Sequence, residues 1–119
     1  MNGKHLLING KNVSQDVDDE SLWREIFDKT VLATATNKMR DFDLVKFPKQ
    51  GITAFLVLSE SHISVHTYPE DGAYYFDVFS CKDFNTDDVT KIFLSVLGHH
   101  DMKFEEMCDS LKTRNAVIP

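Results

Sequence analysis

The chain has 119 residues, 42% hydrophobic and 27% charged, with nine Phe, a formal net charge of -6 and a pI near 5.2. That length fits one domain spanning residues 1–119, and the apolar content can build a core without disulfide or metal staples. The acidic balance argues against a nucleic-acid or anionic-membrane partner, because both demand clustered Lys and Arg.

The opening Met1 to His5 lacks an apolar signal core, and the longest apolar run, Ala54 to Leu58, is too short to span a bilayer, so a cytoplasmic protein is expected. Lys4 to Ile8 reads as a first strand, paired centrally and ended by the turn dipeptide Asn9-Gly10. The acidic run Asp16 to Glu20 reads as a solvated entrance to a helix over Ser21 to Ala35, whose Trp23, Ile26, Phe27 and Val31 recur at helical spacing. A second strand is expected within Met39 to Lys46, closed by Phe47-Pro48 and a turn at Gln50-Gly51. Ile52 to Leu58, dense in β-branched and aliphatic residues, reads as a strand buried on both faces.

From Ile63 the pattern alternates, with Ile63 and Val65 on one face and His62, Ser64 and His66 on the other, until Pro69 and Asp71-Gly72 force a turn. Ala73 to Cys81 completes a hairpin with Cys81 at its far end. Asn85 or Thr86 caps a second helix carrying Val89, Ile92, Phe93, Val96 and Leu97 on one face, and Gly98 closes it. Asp101 to Met107 reads as a last strand, with a loosely held tail after Ser110. Hairpin-grouped strands with two amphipathic helices predict an α+β two-layer sandwich, an antiparallel β-sheet with both helices on one face. The second face mixes Tyr, Phe and Val with His and Ser and is expected to dimerise sheet to sheet.

Chemistry concentrates in Ser59-Glu60-Ser61-His62-Ile63-Ser64-Val65-His66-Thr67-Tyr68-Pro69-Glu70. With Gly3-Lys4-His5-Leu6-Leu7, Phe47-Pro48-Lys49-Gln50-Gly51-Ile52-Thr53 and Asp77-Val78-Phe79-Ser80-Cys81, it makes four ordered blocks that resemble the prokaryotic S-adenosylmethionine decarboxylases. The resemblance implies a proenzyme that cuts itself between Glu60 and Ser61, giving a 1–60 β chain and a 61–119 α chain headed by a pyruvoyl cofactor made from Ser61. A serine hydroxyl can attack the preceding carbonyl, and elimination from the resulting ester leads to that group. His66 matches the processing acid/base, imidazole being a side chain suited to proton exchange near neutrality. Thr53 stands where the family has a processing hydroxyl, usually serine. The pyruvoyl ketone would take the substrate amine as a Schiff base and draw electrons as carbon dioxide leaves. Cys81 matches the donor that protonates carbon. Phe47 matches an aromatic that stacks on adenine, and Glu70 a carboxylate that holds ribose hydroxyls.

The resemblance also implies a homodimer whose sites each combine the pyruvoyl and cysteine of one protomer with the histidine, aromatic and glutamate of the other. The function implied is decarboxylation of S-adenosylmethionine to the aminopropyl donor for spermidine synthesis. Lys82 replaces a usual glycine, and the turn Asp71-Gly72-Ala73-Tyr74-Tyr75 is unusually aromatic. Both changes bear on the pocket and keep ornithine or arginine open as substrates. An unprocessed regulatory homologue is a further alternative, disfavoured by intact Glu60, Ser61, His66 and Cys81.

Other residues read as structural. His62 and His66 lie about 13 Å apart on a strand, too far to share an ion, so no metal is expected. His99 and His100 follow a helix end and are assigned to the surface. The cysteines, Cys81 and Cys108, are expected to be reduced, and Cys108 to be a small buried hydrophobe. Trp23, Phe27 and Phe93 are assigned to the core.

Overall fold

The computed structural model describes residues 3–108; the tail expected after Ser110 lies outside them. Strand β1 (Lys4–Lys11) is followed by helix α1 (Glu20–Ala33), then by strands β2 (Asp43–Lys46), β3 (Ile52–Leu58), β4 (Ser61–Tyr68) and β5 (Ala73–Ser80), helix α2 (Thr86–Leu97) and strand β6 (Asp101–Cys108). The strands form one antiparallel sheet in the order β2-β3-β4-β5-β1-β6, as the sandwich expected from sequence requires. Side chains alternate across it, so Leu6, Ile8, Leu56, Ile63, Val65, Phe76 and Val78 enter one core with Trp23, Ile26 and Phe27 of α1 and Val89, Phe93 and Leu97 of α2.

Both helices are fixed by short polar caps. Asp19 accepts from Ser21 N at the start of α1, and Asn85, one of the two caps expected, accepts from Asp87 N at the start of α2. Trp23, Phe27 and Phe93 are buried as expected, and the Trp23 indole satisfies its N–H on Val17 O at 2.9 Å. Helix α1 stops at Ala33 rather than Ala35, which takes a left-handed φ of 52°. Of the stretch Met39 to Lys46, only Asp43–Lys46 forms strand, at the sheet edge.

Four expectations are corrected. Asn9-Gly10 is not a turn; β1 continues through it to Lys11, and Asn12 at φ 57° makes the corner instead. Gly10 serves close packing, because a Cβ there would lie 2.2 Å from Tyr74 Cε2. Gly10→Ala is therefore expected to cost about 1–3 kcal/mol, as overpacking does, seen as a lowered denaturation midpoint at unchanged m-value. Strand β3 is buried on one face only: its burial alternates and Phe55 is 42% exposed, because no element among the described residues covers the second face. His100 is not at the surface; it packs under Tyr74, whose hydroxyl lies 2.7 Å from its Nε2. Cys108, expected to be buried, is exposed at the end of edge strand β6.

Candidate active site

The tight turn between β3 and β4 consists of Ser59 and Glu60 alone, with Leu58 paired to Ser61 across it. A two-residue hairpin connection favours positive φ, a demand glycine or asparagine usually meets. Here Glu60 meets it at φ 59°, a left-handed conformation that costs an L-residue with a Cβ roughly 1–2 kcal/mol. Strain is thus stored at the residue whose carbonyl precedes Ser61. Ser61 Oγ is buried and has no hydrogen-bond partner among the described residues, so the hydroxyl adjoining the strained bond is uncommitted.

The β4–β5 register brings Cys81 to the same place. His62 pairs with Phe79, so the residue just past β5 arrives beside Glu60, and Cys81 Sγ lies 3.4 Å from Glu60 Oε2. Lys82, the departure from the usual glycine, turns away: its Nζ donates to Ala35 O at 2.7 Å and ties this corner to the end of α1.

The remaining candidates gather at the opposite end of β4. Thr53 on β3 pairs with His66 on β4, and Thr53 Oγ1 lies 3.1 Å from His66 Nδ1. Phe47, 49% exposed, follows β2, its N–H donating to Gly51 O across a loop that Gly51 closes at φ 109°. Glu70 lies on the 3-10 turn Pro69–Asp71, and Gln50 Nε2 donates to its Oε2 at 2.8 Å. The chain therefore carries two half-sites, Glu60, Ser61 and Cys81 at one end and Phe47, Thr53, His66 and Glu70 at the other. Ser61 and His66 are five residues apart on one strand, about 17 Å at the usual rise.

On the open face between the half-sites lies a cluster to which the sequence reading gave no role. Asp77 Oδ2 meets His5 Nε2 at 2.6 Å and His62 Nε2 at 2.9 Å, and Ser64 Oγ donates to Oδ1. Burial opposes the charge on Asp77, but the hydrogen bonds from His62, Ser64 and His5 outweigh it and hold the carboxyl well below the usual carboxylate range. An ionised carboxylate only accepts, so both imidazoles present Nε2–H to it. A carboxyl with a lowered folded pKa stabilises the fold above its unfolded pKa near 4, and that contribution is lost as pH falls through the folded value. Asp77→Asn is accordingly expected to flatten the fall of Tm between about pH 5 and pH 2 relative to the parent chain. The three donor atoms of His5, His62 and Asp77 lie within 4.8 Å of one another, a spacing that could also receive a metal ion.

In class the molecule is thus an antiparallel α+β sandwich whose candidate chemistry starts from a serine at a strained β-turn. The chain belongs to the S-adenosylmethionine decarboxylase family, whose profile matches residues 4–108. It is 37% identical over 87 residues to the S-adenosylmethionine decarboxylase proenzyme of Synechococcus sp. (strain WH7803), covering 70% of this chain and 65% of that one. It is 35% identical over 82 residues to the proenzyme of that name from Caldanaerobacter subterraneus subsp. tengcongensis, covering 68% and 65%. The match therefore spans slightly under two thirds of those relatives' length. The crystal structure of the adenosylmethionine decarboxylase from Aquifex aeolicus superposes with a TM-score of 0.72 at 25% identity, covering 88% of each chain. No helix among the described residues is long and apolar enough to cross a membrane.

Proposed function

We propose that this chain is a self-processing decarboxylase of S-adenosylmethionine that works as a homodimer with shared sites. The observation that carries the reading is the uncommitted, buried Ser61 hydroxyl directly after the left-handed Glu60. In the first step Ser61 Oγ attacks the Glu60 carbonyl carbon, the Glu60–Ser61 peptide bond breaks, and an ester takes its place, relieving the turn's strain. Loss of the Ser61 α-proton then expels the Glu60 carboxylate, and water replaces the residue 61 nitrogen, which leaves as ammonia. An uncommitted serine, a strained carbonyl and a nearby thiol fit the formation of a pyruvoyl group from residue 61. That group supplies a ketone that captures the substrate amine and an electron sink for decarboxylation.

The rest falls to the chain's own side chains. Cys81, beside Glu60, is placed to deliver the proton of its thiol to the substrate carbon. His66 can exchange a proton with the hydroxyl of Ser61, with Thr53 fixing its ring through Nδ1. Phe47 offers an exposed ring for an adenine to stack on, and Glu70 a carboxylate for ribose hydroxyls and for attraction of a sulfonium.

Because Ser61 and His66 lie so far apart on one strand, His66 can serve Ser61 only from a second chain. The open face of the sheet, where Leu7, Val45, Phe55 and Tyr75 stand exposed, supports a sheet-to-sheet homodimer that joins one chain's Ser61 end to the other's His66 end. In that reading the product is the aminopropyl donor for spermidine synthesis and the protein is cytoplasmic. The test is carbon dioxide release by purified protein from S-adenosylmethionine, ornithine and arginine in parallel. Turnover of the nucleoside alone, with Cys81→Ala still cut but slowed at least about a hundredfold, is expected. Turnover of an amino acid instead would overturn the substrate assignment.

A further inference from the structure

Cleavage at Glu60-Ser61 would convert residue 61 from the edge of a tight turn into a chain terminus, removing the strut that the turn provides. Besides its pairing with Leu58 of β3, the terminus is then held covalently only through the residue that follows it. His62 is that residue, and its side chain is clamped from three sides. Its ring stacks on Phe55 of β3, with centroids 5.5 Å apart and planes at 13°, and on Phe79 of β5, at 6.3 Å and 19°. Its Nε2 bonds Asp77 of β5, which is itself fixed by Ser64 of β4 and His5 of β1. Four neighbouring strands of the sheet therefore converge on the residue bonded to the new terminus.

The chemistry makes that position consequential. The reading of Ser61 given above, on which this inference rests, leaves residue 61 attached through its carbonyl to the His62 amide nitrogen. Any swing of His62 therefore rotates that carbonyl and the ketone beside it. We infer that His62, locked between Phe55 and Phe79 and tied to Asp77, is the positioning residue that keeps residue 61 aimed after the chain is cut. A residue that acts through residue 61 rather than by binding substrate should, when lost, lower kcat while leaving KM nearly unchanged, and a misplacement of about 1 Å is enough to cost about a hundredfold.

The test uses the purified, cut full-length enzyme with His62→Ala, His62→Phe and Asp77→Asn. His62→Ala is expected to lower kcat at least thirtyfold with KM within threefold; His62→Phe, which keeps the stack and loses the hydrogen bond, should recover about a third or more of that loss on a logarithmic scale. Asp77→Asn should lower kcat about tenfold alone and add nothing further in the His62→Phe background, since the bond is already gone. Should His62→Ala fail to fold or to be cut, Asp77→Asn and His62→Phe decide the matter by the same kcat readout. Undiminished kcat in these cut variants overturns the inference even if their Tm falls. Turnover that disappears on dialysis against a chelator and returns only with a divalent ion overturns it too, because His5, His62 and Asp77 would then be ligands. An uncut parent chain is a different result, visible before any variant is made, and it refutes the reading of Ser61 instead.

Discussion

Ser61→Ala remains a single uncut chain at all times and releases no carbon dioxide from S-adenosylmethionine. The expectation is absolute because the hydroxyl supplies the only route proposed from the peptide bond to an ester, and a methyl group offers no nucleophile. The substitution is conformationally mild: residue 61 begins a strand, and its Oγ makes no hydrogen bond among the described residues that alanine would forfeit. A folded, dimeric but uncut variant is thus the expected product, followed on a denaturing gel and by circular dichroism. A cut Ser61→Ala chain would refute the role given to Ser61.

Co-expression of Ser61→Ala with His66→Ala chains should restore what neither shows alone. Ser61 and His66 stand at opposite ends of β4, so a site that needs both must take them from different chains. In a mixed dimer, one site unites the intact Ser61 of the His66→Ala chain with the intact His66 of its partner, and the other site has neither. Random pairing makes about half of the dimers mixed, so about half of the His66→Ala chains should be cut and all Ser61→Ala chains should remain whole. Separate mass tags on the two chains read this directly. No cleavage in the mixture, with dimers demonstrably mixed, would contradict the shared site.

Local patterns made much of this molecule legible in advance. The faces of α1 and α2 were readable because Trp23, Phe27 and Phe93 recur with the helical period, and the start of α2 because Asn85 offers a short acceptor side chain; the Asp19 cap of α1 was read only as part of an acidic entrance. The Glu60-Ser61 locus rested on a dense motif rather than on periodicity. Where a residue's role depends on a distant strand, the sequence misled. Asn9-Gly10 has the chemistry of a turn, yet it lies within a strand because Tyr74, 64 positions away, needs the space a Cβ would take. His100 looked like a helix-end histidine until its register beneath Tyr74 was known.

The His5, His62 and Asp77 cluster could not be found from spacing, because those residues sit on three strands and meet only through the β1–β5 and β4–β5 pairings. Their common signal is parity within each strand, which places all three on the open face, and parity alone does not say which side chains stand opposite. Ile52 to Leu58 shows the reverse error. Its buried residues alternate with Thr53, Phe55 and Val57, and a run rich on both faces was read as buried on both when the described residues cover only one.

The most direct test of the central claim is an intact mass spectrum of the purified protein, taken with and without a reducing agent in the presence of S-adenosylmethionine. Two chains are expected, residues 1–60 and 61–119, the second lighter by one ammonia than plain hydrolysis would give and gaining a substrate-derived adduct on reduction. A single intact chain of 119 residues, unchanged by reduction, would contradict the account.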